Sequence, residues 1–179
     1  IEWLRLQGYT VFSEDIEAWM PYLTLFQEDP MRWSFTLQMR ILLSMYHQKI
    51  AIDEGPSYKD GLVFVERCPE SSLAFVRTAL DLKMLTALEM DIFEGYFTAM
   101  VWRPSAYIRL CADTNTIQRR IERRSRVSEV DITREYLEPL ASQYDALYDE
   151  LSGPVAKVYT DNLEVAQVGH VILAHVREA

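Results

Sequence analysis

The 179 residues carry a net charge of −9 and an apolar content of 49%, with an isoelectric point near 4.8. That is enough apolar material for one sizeable core, and too acidic a surface for a general nucleic-acid coat. No apolar run is long enough to cross a membrane, no secretory leader or internal repeat is visible, and Cys68 and Cys111 lack zinc-type spacing.

Ile1 to Leu6 reads as the end of an amphipathic helix stopped by Gly8, and Tyr9 to Ser13 as a strand closed by Glu14 and Asp15. Pro21 is expected to break the chain after Trp19, with helix resuming to Gln27 and a new helix opened by Asp29 and Pro30. Arg32 to Gln48 is a long helix, and Ile50 to Asp60, containing Gly55-Pro56, a loop. Leu62 to Val65 is an apolar run between Gly61 and Pro69, read as a strand buried on both faces. Glu66-Arg67 therefore stands at a strand's carboxyl end, where α/β sheets bind ligands. An ion pair at a sheet rim is the plainer reading of the same two residues.

Helices are predicted over Ser71 to Met84 and Thr86 to Trp102. The aromatic and methionine content of the second, Met90, Phe93, Tyr96, Phe97, Met100 and Trp102, exceeds what one buried face needs and predicts a homodimer contact through Leu82 to Trp102. Ala106 to Ala112 is a third strand, Asp113 to Asn115 opens a helix, Tyr136 to Leu151 is another, and Val155 to Tyr159 is the last strand before a C-terminal helix. Both cysteines fall at strand ends, which predicts buried free thiols in a reducing, intracellular compartment such as the cytoplasm. Strands alternating with helices predict an α/β fold with a mainly parallel sheet, one domain over residues 1–179.

Five of the nine residues from Gln118 to Arg126 are arginine. Like charges crowded on two helical turns repel, and Arg120, Arg124 and Arg126 are spaced to close around a polyphosphate. The alternative is a solvated face with Glu122 as local partner.

Four segments in order then resemble one family, the deoxynucleoside kinases. Ser13-Glu14-Asp15-Ile16-Glu17-Ala18-Trp19 is similar to its Glu-Pro-x-x-x-Trp segment, and Asp29-Pro30-Met31-Arg32-Trp33 through Gln38 to its Pro-x-Arg-Trp-x-x-x-x-Gln helix. Glu66-Arg67-Cys68 resembles the Glu-Arg-Ser motif, and Arg120-x-x-x-Arg124-x-Arg126 with Glu129 resembles the arginine lid. The resemblance implies a P-loop-kinase-like fold, ATP and Mg²⁺, a nucleoside substrate and a homodimer. It implies that Glu14 takes the proton of the 5′-hydroxyl, Arg67 holds that carboxylate and the reacting oxygen, and Glu66 helps to place Mg²⁺. Gln38 would pair with the base beside Trp19, and the lid arginines Arg120, Arg124 and Arg126 would neutralise the transferring phosphoryl group. Positioning and electrostatics do most of the work in such chemistry.

Deoxycytidine-preferring members carry charges where this chain has Met45 and Ser72; with Ile41 these imply an apolar pocket suited to thymidine or a broader set of pyrimidine deoxynucleosides. The departures are Asp15 in place of proline, Gln27 where a sugar-contacting tyrosine is common unless Phe26 takes that place after a shift, and the absence of any Gly-x-x-x-x-Gly-Lys-Ser/Thr. The expectation is a chain whose first strand and P-loop lie upstream of Ile1. An inactive nucleotide-binding or dimerisation module and a nucleoside monophosphate kinase are the competing readings.

Overall fold

In the computed structural model, residues 1–124 and 133–178 are described. Eight α-helices and four strands follow in order over them: α1 (Glu2–Leu6), β1 (Thr10–Phe12), α2 (Ile16–Glu28), α3 (Pro30–Asp53), β2 (Val63–Val65), α4 (Pro69–Asp81), α5 (Ala87–Met100), β3 (Tyr107–Cys111), α6 (Thr114–Arg124), α7 (Arg134–Glu150), β4 (Val155–Tyr159) and α8 (Val165–Glu178). The strands form two parallel pairs. β1 runs beside β2 with Val11 opposite Phe64, and β3 beside β4 with Arg109 opposite Lys157. Parallel pairing sends every strand's carboxyl end the same way within its pair, and the chain leaves β2 and β3 there to enter α4 and α6.

Local chemistry explains most boundaries. Gly8, at φ +84°, releases the chain from α1 into β1. Asp29 caps α3, its carboxylate accepting the Arg32 N–H at 3.1 Å, with Pro30 in the first turn. Thr86 and Glu89 form a reciprocal capping box at the start of α5.

Several expectations are corrected. Pro21 does not break the chain: α2 continues through it, because Trp19, Tyr22, Leu23 and Phe26 pack on Leu37, Ile41 and Met45 of α3. Burial of that face outweighs the roughly 3 kcal/mol that an internal proline costs. The helix α3 extends past Gln48 to Asp53, held by a Lys49–Asp53 pair one turn apart and by the Tyr58 hydroxyl donating to the Ile52 carbonyl at 2.8 Å. Trp102 lies beyond α5, which ends where Val101 turns extended ahead of Pro104. Strand β2 and both free cysteines are half-buried rather than enclosed.

Among the described residues three apolar clusters make the interior. Leu42, Val76, Ala79, Leu85 and Phe93 join α3, α4 and α5. Trp19, Leu37, Ile41 and Met45 join α2 to α3. Leu4, Tyr9 and Leu173 seat α1 and β1 against α8. Among the described residues no helix is long and apolar enough to cross a membrane.

Candidate active site

The carboxyl ends of β1 and β2 bring Glu14, Glu66 and Arg67 together. The Glu66 N–H donates to the Phe12 carbonyl at 2.8 Å, prolonging the ladder by one residue. The Glu14 N–H in turn donates to the Glu66 carboxylate at 3.2 Å. Glu14 does not cap α2: its Oε1 accepts Arg67 Nη1–H at 2.8 Å, with both side chains about one-fifth exposed, at 18% and 20%. This is the charge-assisted, partly desolvated geometry in which an ion pair fixes a carboxylate's direction.

Arg67 is held by two further contacts and stands on a left-handed backbone. Its Nε–H donates to Ser71 Oγ at 3.0 Å, its guanidinium carbon lies 4.4 Å above the Phe75 ring, and its backbone adopts φ +64°. Its Nη2 is buried and has no hydrogen-bond partner among the described residues. Burial would lower its pKa, but the nearby Tyr144 and Glu14 raise it further, so it stays a cation. Beside it, burial first and then the charge of Glu70 push the Cys68 thiol up to about 12, which leaves that sulfur protonated and inert.

A cavity of about 290 Å³ opens in front of these groups, lined by Glu14, Glu66, Trp19, Met45, Ser44 and Gln48 among others. Trp19 forms its wall, 3% exposed, with the indole N–H donating to Ser44 Oγ at 2.8 Å. Met45 reaches both the cavity and the core, and its sulfur accepts the Ser72 hydroxyl at 3.7 Å. Gln38 and Ile41 of α3 are buried, at 6% and 5% exposure, outside the lining of this cavity, and the Gln38 carbonyl oxygen has no hydrogen-bond partner among the described residues. Ser72 is fully buried and its hydroxyl is spent on Met45, so it shapes the wall through that contact.

Gln48 was not singled out by the sequence. It lines the cavity and donates to the Ser13 carbonyl at 3.4 Å, and only its position three residues after Met45 on α3 hints at this. Tyr136 and Tyr144 of α7 also come near Arg67; burial lifts Tyr136 to about 12 and raises Tyr144 as well. No motif marks them, because α7 is brought there by packing on α4.

The arginine-bearing helix starts at the carboxyl end of β3. Asp113 caps α6, accepting from Thr116 N–H at 2.9 Å and Thr116 O–H at 2.7 Å. Those bonds, the hydroxyl's first, lower its pKa to about 2. Arg120 is tied to Thr160, and Arg119 donates to Thr116 Oγ1 at 2.8 Å. The Arg124 side chain, Arg126 and Glu129 lie outside the described residues.

The residues present fit Mg²⁺ in the way that ion is commonly held, through a single carboxylate and the oxygens of a phosphate substrate. Glu66 offers that carboxylate at the cavity, and among the described residues no group of three acidic, histidine or cysteine side chains stands close enough for an all-protein cage.

A family model described as deoxynucleoside kinase matches residues 2–178. The chain belongs to the deoxynucleoside kinase family. It is a family of phosphotransferases, and two of its curated members illustrate the distance. The deoxyadenosine/deoxycytidine kinase of Bacillus subtilis (strain 168) is 29% identical over 143 residues, covering 77% of this chain and 64% of that protein. The mitochondrial deoxyguanosine kinase of Xenopus laevis is 26% identical over 157 residues, covering 81% and 59%. The chain thus spans less than two-thirds of the length of either. Among solved structures, M. mycoides deoxyadenosine kinase with dCMP and a flexible dCDP superposes with a TM-score of 0.86 at 21% identity, covering 99% of this chain and 91% of that one. The α/β, P-loop-kinase-like fold expected from the sequence is the fold of this kinase family.

Proposed function

We propose that this protein transfers the terminal phosphoryl group of ATP to the 5′-hydroxyl of a deoxynucleoside, with Glu14 as general base. The observation that carries the reading is the Glu14–Arg67 pair at 2.8 Å, set at the mouth of a cavity beside a second carboxylate, Glu66. In this scheme the nucleoside enters with its base toward Trp19 and Met45 and its 5′-oxygen toward Glu14. The carboxylate accepts the hydroxyl proton as the oxygen attacks the γ-phosphorus and the bond from that phosphorus to the bridging oxygen breaks, releasing ADP, while Arg67 holds Glu14 in line and offers its unspent Nη2–H to the reacting oxygen. Glu66 would hold Mg²⁺, whose chemistry is to offset charge on the phosphates. Arginines of α6 and the segment after it would face the same charge.

The paired carboxylates favour a neutral hydroxyl acceptor over a nucleoside monophosphate, which would bring a dianion against Glu14 and Glu66. For the base, the uncharged Met45 and Ser72 and the apolar Ile41 support thymidine, with other pyrimidine deoxynucleosides tolerated. The names of the relatives support a second reading, deoxyadenosine or deoxyguanosine. An apolar pocket discriminates by only about 1–3 kcal/mol per group, so the ranking is one of degree. Steady-state kcat/KM for the four deoxynucleosides decides it; a clear purine preference rejects thymidine, and no transfer to any of the four rejects the kinase.

The exposed residues Leu88, Ile92 and Tyr96, at 79%, 46% and 54%, stand one turn apart on α5, while Phe93, about 100° round the helix from Ile92, is fully buried. They support a homodimer through this helix.

A further inference from the structure

We propose that Thr160 is a positioning residue for the donor phosphates, acting through Arg120; the inference rests on the phosphoryl-transfer reading above. Thr160 follows β4 and is 6% exposed. Its N–H and its hydroxyl both donate to the Cys111 carbonyl at the end of β3, at 2.8 and 3.1 Å. With its hydrogen committed, the hydroxyl oxygen presents only lone pairs to the other side. There it accepts Arg120 Nη1–H at 2.8 Å, and the Thr160 carbonyl accepts Nη2–H at 2.6 Å. One buried residue thus grips both terminal nitrogens of a guanidinium at the carboxyl edge shared by β3 and β4.

The neighbouring bonds stiffen this edge. The Asp113 N–H donates to the Asp161 carboxylate at 2.9 Å, and Asp113 caps the helix that bears Arg120. Both ends of the Arg120 side chain are therefore tied to the sheet.

The choice of partner matters chemically. A carboxylate in place of Thr160 would hold Arg120 but cancel its charge, whereas a hydroxyl and a carbonyl orient the cation and leave the charge whole. A guanidinium has five N–H donors; the two hydrogen bonds to Thr160 leave the others for phosphate oxygens. A side chain already fixed in one rotamer loses little freedom when the phosphate arrives. A purely structural staple between α6 and the sheet would hold the fold without any preference for the donor.

The test uses the full-length protein as wild type, Thr160→Val, Thr160→Ser, Arg120→Met and the Thr160→Val/Arg120→Met double variant. Direct titrations with Mg-ATP and, separately, with deoxynucleoside are combined with kcat, KM and thermal unfolding. Thr160→Val is expected to weaken ATP affinity and kcat/KM for ATP by about tenfold, the worth of one charge-assisted hydrogen bond, with nucleoside affinity unchanged. Thr160→Ser, which keeps the oxygen, restores both to within about twofold of wild type. In the double variant Thr160→Val adds nothing to the loss caused by Arg120→Met. Unaltered ATP binding in Thr160→Val, equal losses toward both ligands with lower thermal stability, losses that multiply in the double variant, or a wild type that binds no ATP would each overturn the proposal. A wild type that binds ATP through Thr160 but phosphorylates no deoxynucleoside rejects the kinase reading and leaves the role of Thr160 standing.

Discussion

Replacing Glu14 with glutamine keeps the side chain's shape and removes its charge and basicity. The carboxylate and Arg67 meet at 2.8 Å with about a fifth of each side chain exposed, so their charge-assisted hydrogen bond contributes about 1.5–3 kcal/mol. Glutamine still offers an oxygen to Arg67, which limits the loss to about 1–2 kcal/mol, below the 3–5 kcal/mol of stripping a fully buried charge of its partner. At this chain length each kcal/mol lowers Tm by roughly 2–4 °C, so the variant is expected to melt roughly 2–8 °C below wild type. Catalysis should fall much further, by about 10²–10⁴-fold in kcat, the usual contribution of a general base, with KM for the nucleoside within about threefold. Scanning calorimetry and steady-state kinetics on the same preparations read both effects. A kcat within about threefold of wild type would refute Glu14 as the base. A full loss of activity with an unmoved Tm would refute the ion pair's share in stability.

Alkaline pH should destabilise the fold. Cys68 is raised from 9.0 to about 12, by burial before the charge of Glu70, and burial likewise raises Tyr136 and Tyr148 from 10.0 to about 12. Raised folded-state values stabilise fully below the unfolded pKa, so stability is intact below about pH 9 and lost as pH rises toward about 12. Thermal unfolding across that window checks it, and a flat Tm counts against it. Gly169→Ala in α8 places a methyl group inside the van der Waals envelope of the Trp3 ring. Overpacking of about 1–3 kcal/mol against a helix-propensity gain of about 0.5–1 kcal/mol predicts a net loss by chemical denaturation, and a stabilised variant would contradict the packing. Leu88→Lys with Ile92→Lys should give a monomer by light scattering at unchanged secondary structure; a persistent dimer would place the contact elsewhere.

Much of this arrangement was legible in the chain itself, for reasons that differ by element. The strand over Val155 to Tyr159 was bounded by Gly153-Pro154 and Asp161-Asn162, and its limits agree with β4. Asp29-Pro30 announced α3 because capping is chemistry of adjacent residues. Pro21 misled because its penalty is local while the compensation comes from α3, whose residues lie a dozen or more positions away. The Glu14–Arg67 meeting was foreseeable from two strand ends and their motifs. The tie of Arg120 to Thr160 joins residues forty apart through the β3–β4 register, and nothing in either's neighbours reveals it.

The left-handed backbone at Arg67, φ +64°, sets unusual terms for mutational drift at this position. A side chain other than glycine there costs on the order of 1–2 kcal/mol, so the conformation persists only because Glu14, Ser71 and Phe75 over-determine the guanidinium. Glycine would relax the backbone and discard the cation. Lysine would keep the charge, yet lose the planar fork that spans Glu14 and Ser71 and the stacking on Phe75. Asparagine tolerates the angle but is too short and carries no charge. Backbone preference and side-chain chemistry thus point to different amino acids, and the position has no conservative replacement.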